Sequence, residues 1–122
     1  MQESDPLARL ERARAQTETR LRELTEARDE IVAASESANL DDEHDPEGST
    51  VGFERAQVQA LLDATRTRLA EVDAARERVE RGTYGICEAC GRSISPPRLD
   101  AQPTARTCVE CADPVPGERR PA

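Results

Sequence analysis

Aromatic residues are almost absent from this 122-residue chain, which has one Phe, one Tyr and no Trp. Only 36% of its residues are hydrophobic, and many of these are Ala. A thick globular core needs large apolar side chains, so this composition argues against an ordinary globular domain. Paired helices need less apolar material, which favours an all-α chain made of one extended element and one small module.

Lysine is also absent, and all 17 basic residues are Arg. The 25 acidic residues outnumber them, which gives a formal net charge of -8. Sequence-independent binding to nucleic acid depends on neutralising phosphates, so this charge argues against it. A basic protein surface or channel is a better partner for such a chain.

The chain lacks an apolar run near the roughly 20 residues that span a bilayer. Residues 1–20 lack the basic-then-apolar order of a signal peptide. We therefore expect a cytoplasmic protein that does not contact membranes. His44 is the single histidine and no Ser/His/Asp set exists, so we do not expect an enzyme.

Two stretches show the alternating three- and four-residue spacing of a coiled-coil seam. The first follows the helix-start signal Asp5-Pro6, and the second ends at Gly82, a helix stop. Each is about 30 residues, or ~45 Å at ~1.5 Å per residue. The seam positions are Leu7, Leu10, Arg14, Thr17, Leu21, Leu24, Arg28 and Ile31, and then Val58, Leu62, Thr65, Leu69, Val72, Arg76 and Val79.

Residues 37–51 lose this spacing and collect Asn, Asp, Pro, Gly and Ser, which favour a loop. Two equal helices joined by a loop fold most simply into an antiparallel hairpin, here over residues 1–82. We expect a monomer; alternatively, the two seams mediate homo-oligomerisation as separate helices. Residues 113–122 hold three Pro and one Gly without an apolar pattern, which predicts a disordered tail.

Four cysteines form two close pairs, and seventeen residues separate the pairs. In a reducing compartment such pairs are more often metal ligands than disulfides. Two Cys-x2-Cys turns complete a tetrahedron of thiolates with no position left for water, which predicts a structural Zn2+ in residues 83–112. A redox dithiol would use one pair rather than two, whereas the spacing leaves an iron–sulfur centre open. The expected ligands are Cys87, Cys90, Cys108 and Cys111.

Two short motifs flank the cysteines: Gly-Thr-Tyr-Gly at residues 82–85 and Arg-Leu-x-Ala-x-Pro at residues 98–103. With them the chain resembles the DksA/TraR family of bacterial transcription regulators, closely over residues 82–111 and in architecture over residues 6–81. The resemblance implies a protein that binds RNA polymerase rather than DNA. Members of the DksA type insert the hairpin into the secondary channel of the polymerase, with the zinc module outside, and their acidic tip alters the lifetime of promoter complexes.

Five of the seven residues from 41 to 47 are acidic: Asp41, Asp42, Glu43, Asp45 and Glu47. At the end of a stiff hairpin such carboxylates are suited to reach a distant Mg2+ ion or basic groups. The ordinary alternative is a solvated turn. A third interpretation is an EF-hand-like calcium loop, although Pro46 would stiffen it. Its positions one, three, five, six and twelve would be Glu43, Asp45, Glu47, Gly48 and Glu54.

The sequence departs from the family pattern at two places. The family tip reads Asp-x-x-Asp-x-Ala; Asp42 and Asp45 take the aspartate places, but Glu47 stands where Ala belongs. An added charge there can change the regulatory outcome or its direction. The basic positions with which some members bind ppGpp fall on non-basic residues, so we expect weak or no ppGpp binding. These residues are Glu71, Gln102 and Ala112.

The leading hypothesis is therefore a regulator that acts on RNA polymerase through Asp42 and Asp45, with the other three tip acids in support. The alternative from another class is a zinc-ribbon adaptor whose helices bind a different protein and whose acidic loop only keeps it soluble. A zinc-finger DNA binder comes third, because the net charge opposes it. Its basic face would be Arg92, Arg98 and Arg106.

Overall fold

Helices dominate the computed structural model, which describes residues 5–41 and 47–112 and the side chains within 5–36 and 50–112. In these ranges the helices are α1 (Pro6–Asp41), α2 (Glu47–Arg81) and α3 (Pro96–Ala101). The same ranges contain no strand and one isolated antiparallel bridge, between Ile86 and Ser93. The predicted all-α fold class is confirmed. None of the described helices has the length and apolar character needed to cross a membrane.

The outer ends of the two long helices follow the predicted signals. At the start of α1, the amide of Leu7 donates to Asp5 Oδ1 at 3.3 Å, and Pro6 opens the helix. At the end of α2, Gly82 and Thr83 close the helix by donating their amides to the carbonyl oxygens two and three residues before its end. Gly82 has a φ of 78°, the left-handed conformation that this kind of cap requires.

The predicted loop over residues 37–51 is wrong at both ends. α1 continues through Asp41 and α2 already begins at Glu47, so the long helices have 36 and 35 residues. Once a helix has nucleated, each further residue adds a hydrogen bond, and the roughly 0.5 kcal/mol cost of Ser, Asn or Asp does not stop it. Glu is also favoured at a helix start by the helix dipole. The rest of that loop, 42–46, and the predicted disordered tail, 113–122, lie outside the described residues.

The chain divides into two compact units, and the first combines the start of α1 with the end of α2 and the segment that follows it. Its core consists of Leu10, Val72 and Ala75, which are fully buried. Ala13, Val79 and Tyr84 pack against this core. Because a residue near the start of α1 packs on residues near the end of α2, the two helices pair as an antiparallel hairpin.

The second unit is the remainder of the helix pair. Its interior is narrow, with Thr17, Leu24 and Leu62 buried. In both units every predicted seam position is buried or half-buried, so the seam is confirmed. Two apolar side chains of α2, Phe53 and Leu61, are instead exposed to 65% and 45%.

Polar members of the seam form hydrogen bonds or ion pairs. The Thr65 hydroxyl donates to the Leu61 carbonyl oxygen at 2.7 Å, within one helical turn. Arg76 lies 3.5 Å from Asp73 on its own helix and 3.9 Å from Glu11 on α1. These polar positions of the seam therefore carry hydrogen bonds or ion pairs, although the buried Nε of Arg76 has no hydrogen-bond partner among the described residues.

Candidate metal centre

The first cysteine pair lies in a tight turn after α2. The amide of Cys87 donates to the Arg92 carbonyl at 2.8 Å, and the amide of Gly91 donates to the Cys87 carbonyl at 2.9 Å. Gly91 has a φ of 79°, where a side chain would be strained. The amide of Cys90 approaches Cys87 Sγ at 3.4 Å. The turn therefore directs both sulfur atoms to the same side.

The second pair lies in a turn near the C-terminal end of the described residues. The carbonyl oxygen of Cys108 accepts the amide of Cys111 at 3.1 Å and that of Ala112 at 2.9 Å. The amide of Glu88, inside the first turn, donates to the Arg106 carbonyl at 2.9 Å. That hydrogen bond joins the chain entering the second turn to the first turn, so the two pairs face each other.

The four sulfur atoms form one cluster. All of them lie within 4.8 Å of one another, and the Sγ atoms of Cys90 and Cys108 are 3.8 Å apart. Ligands held at ~2.3 Å around a tetrahedral ion are ~3.8 Å apart, whereas a disulfide needs ~2.05 Å. The donor set is four free thiols, the ligand type that zinc accepts in closed structural sites. The cluster therefore fits one Zn2+.

Hydrogen bonds and burial shift the pKa values of two of these thiols in opposite directions. Burial opposes ionisation of Cys87, but backbone hydrogen bonds to its sulfur outweigh burial and lower its pKa to about 6. The hydrogen bond with Cys108, followed by burial, raises the pKa of Cys111 to about 12. At neutral pH zinc must therefore displace the proton of Cys111, so zinc affinity rises with pH.

Ion pairs on the surface also link the two turns. Arg106 lies 3.2 Å from Glu88, and Arg92 lies 3.6 Å from Glu110. All four side chains are between 43% and 74% exposed. Exposed pairs of this kind contribute at most about 1 kcal/mol, so they supplement the metal and do not replace it.

Contacts within the first unit attach the cysteine module to the helix ends. Tyr84 packs against the core of the helix ends and donates its hydroxyl to the Pro103 carbonyl at 2.7 Å, and Arg9 forms an ion pair with Asp100 at 3.3 Å. Asp100 belongs to α3, which Ser95 caps. Sequence reasoning missed α3, although Ser followed by two Pro is a helix-start signal. The partner of Arg9 had no sequence signal, because the two residues are far apart in the chain.

The predicted tip residues fall at the edge of the described structure. Asp41 ends α1 and Glu47 begins α2, while Asp42, Glu43 and Asp45 lie outside the described residues. The calcium interpretation is wrong, because the residues at its positions five and six are part of α2. An EF-hand needs those positions in a loop that wraps around the ion.

The three non-basic positions on which we base the expectation of weak or no ppGpp binding lie together in the first unit. Glu71, Gln102 and Ala112 line one open cavity of about 510 Å³, along with Arg98 and Arg106. None of the three is basic, but the cavity has two basic residues in its lining, Arg98 and Arg106. Both arginines already have partners, since Arg98 donates to a backbone carbonyl and Arg106 pairs with a carboxylate.

An antiparallel helical hairpin followed by two opposed cysteine turns defines a coiled-coil protein with a C4-type zinc finger. Residues 82–119 match the prokaryotic dksA/traR C4-type zinc finger. By this match, residues 82–119 are similar to the zinc finger of the DksA/TraR family, and the relatives and the solved structure below extend the similarity to the fold.

Proteins similar to this chain include an uncharacterized protein of Aquifex aeolicus, 55% identical over 47 residues, which are 38% of this chain and 32% of that protein. The RNA polymerase-binding transcription factor DksA of Caulobacter vibrioides is 40% identical over 60 residues, 49% of this chain and 42% of that protein. The chain spans less than half the length of these curated relatives. Transcription factor DksA2 from Pseudomonas aeruginosa has a similar structure, with a TM-score of 0.71 and 25% identity, covering 90% of this chain and 79% of that one.

Removal of zinc should unfold the module of residues 83–112, because its buried apolar side chains are few. Within it Cys87, Ile94 and Ala105 are buried, while Ile86 and Val109 are exposed. Structural zinc contributes on the order of 10 kcal/mol, which the module cannot replace by burial. Hydrogen exchange followed by mass spectrometry should show loss of protection over the module after chelation, and recovery when zinc returns. The control is chelator already saturated with zinc; protection that persists after verified metal removal would contradict this prediction.

Proposed function

We propose that this protein regulates transcription by binding RNA polymerase directly and placing residues 41–47 in the secondary channel of the polymerase. Similarity to the family supports the partner, since the Caulobacter relative is an RNA polymerase-binding transcription factor. The observation that supports this mode of action is the acidic segment between the two long helices. Two long helices are separated by five residues of sequence, and five carboxylates lie between positions 41 and 47.

The proposed mechanism is electrostatic. Carboxylates that enter a narrow protein channel lose part of their solvation, so they interact more strongly with Mg2+ or with basic side chains than they do in water. Asp42 and Asp45 are the proposed main contacts, and Asp41, Glu43 and Glu47 add charge. In this proposal Cys87 and the other three cysteines hold Zn2+ and act structurally, so no residue of the chain performs group-transfer chemistry.

Glu47 makes the proposed tip more acidic than the family pattern, which has Ala at this place. α2 begins at this residue, so the extra carboxylate belongs to the first turn of the returning helix. We propose that it changes the size or the direction of the regulatory effect, because an additional charge alters the field that the tip presents to the polymerase.

A zinc-ribbon adaptor that binds another protein is the second candidate function. The exposed side chains of Phe53 and Leu61 on α2 favour it, since exposed aromatic residues are enriched where proteins bind one another. The two candidates differ in whether the acidic tip is needed for any effect on transcription.

The double variant Asp42→Asn/Asp45→Asn should bind core polymerase nearly as well as the unmodified protein and lose roughly tenfold or more of its effect on transcription. Each charge-assisted contact at the tip is worth about 1.5–3 kcal/mol, whereas the rest of the hairpin still binds. Polymerase pull-down and a reconstituted transcription assay measure the two properties separately.

The matched control for this experiment is Glu23→Gln/Glu26→Gln, which removes the same charge from exposed positions of α1. It should keep the full transcriptional effect, and Glu47→Ala in the same assay reports the contribution of the departure from the family pattern. An Asp42/Asp45 variant that regulates normally would refute the tip mechanism. Failure of the unmodified protein to bind polymerase would refute the partner and favour the adaptor.

Binding of ppGpp to the cavity beside α3 should be weak or absent. Glu71 repels phosphate, and the arginines of the cavity are engaged with Thr107 and Glu88. Isothermal titration calorimetry should detect no low-micromolar binding to the unmodified protein. Glu71→Lys should increase the affinity by removing the repulsion, and low-micromolar affinity without that change would contradict the proposal.

A further inference from the structure

We propose that Arg98 is a positioning residue for the second cysteine turn and that it controls how firmly the metal is retained. Arg98 is half-buried, and its Nε donates to the carbonyl oxygen of Thr107 at 2.8 Å. Thr107 immediately precedes Cys108, one of the four clustered thiols. The guanidinium therefore holds the backbone at the point where the chain delivers a sulfur atom to the metal site.

Arg98 can act as a fixed anchor because hydrogen bonds close both ends of the short helix α3 and its Leu99 side chain packs near Gly85. The amide of Arg98 faces Ser95 Oγ at 3.4 Å, and its carbonyl oxygen accepts the amide of Gln102 at 2.7 Å. The Leu99 side chain of the same helix comes within 3.4 Å of the space that a Cβ on Gly85 would occupy. Gly85 leads into the first cysteine turn, so α3 is seated against the chain that enters this turn.

From this position Arg98 connects the two halves of the metal site. Its helix packs beside the segment that leads to Cys87, and its side chain reaches the segment that leads to Cys108. Seventeen residues separate Cys90 from Cys108. A second turn that is placed before the metal binds loses less freedom on binding, so the ion should be held longer.

Two further contacts between the turns are either formed by backbone atoms alone or exposed to solvent, unlike the Arg98 contact. The Glu88 amide donates to the Arg106 carbonyl through backbone atoms alone, which side-chain substitutions leave in place. The Glu88–Arg106 pair joins side chains that are 43% and 60% exposed, where solvent screens the attraction. Arg98 is shielded better, and it holds the peptide next to a ligand. Arg106 consequently provides a matched control of the same residue type.

Two substitutions separate positioning from charge. Arg98→Gln removes both the charge and the guanidinium, whereas Arg98→Lys keeps the charge but cannot reproduce the planar donor group. We expect both to accelerate zinc release about tenfold, the lower end of the range for residues that orient metal ligands. Arg106→Gln should change release less than about threefold, since it removes an exposed ion pair.

The test uses the zinc-loaded 122-residue chain and measures the rate at which a coloured chelator in excess acquires zinc. The absorption bands of the cobalt-substituted protein report ligand geometry, and circular dichroism during heating reports helix stability. If Arg98 positions the second cysteine turn, both Arg98 variants should release zinc faster and show changed cobalt bands. Their helices should melt close to the temperature of the unmodified chain.

Three results would overturn the proposal: release at the unmodified rate from Arg98→Gln, normal release from Arg98→Lys, or equal acceleration by Arg106→Gln. The second would assign the effect to charge, and the third to general loss of surface ion pairs. If Arg98→Gln does not fold, the release rate of Arg98→Lys decides by the same criterion.

Discussion

Four sulfur atoms held within 4.8 Å of one another are the constraint on which the C-terminal module depends. Ionised thiolates at this spacing repel each other, and neutral thiols would leave the module with little to hold it together, since Ile86 and Val109 are exposed. A divalent cation solves both problems, because it favours ionisation and supplies folding free energy that burial does not. Gly91 and the hydrogen bonds around Cys87 hold the first cysteine turn in the conformation that such an ion requires.

The metal module and the helix ends share one core. Tyr84 packs against the cluster of Leu10, Val72 and Ala75 and donates its hydroxyl to the Pro103 carbonyl in the module. Arg9 reaches α3 from the first turn of α1. These contacts join the module to the ends of the two long helices. They do so with few large apolar side chains, since the chain has only two aromatic residues. The same scarcity of apolar residues explains why the interior elsewhere includes Thr17.

Local and periodic features could be predicted from the sequence, and pairings between distant residues could not. The seam, the Asp5 cap, the Gly82 stop and the four clustered cysteines each follow from spacing or from the chemistry of a single residue. The extension of α1 to Asp41 was missed because helix propagation overrides weak local preferences. The contact between Arg98 and Thr107 depends on where α3 is seated, which no spacing rule gives.

The proposed action on RNA polymerase depends on a folded cysteine module that holds its metal ion. Native mass spectrometry of freshly purified protein, combined with alkylation of accessible thiols, tests this most directly. The account predicts one Zn2+ per chain and four thiols that resist alkylation until a chelator is added. A metal-free chain, or one with its cysteines paired as disulfides, would contradict it.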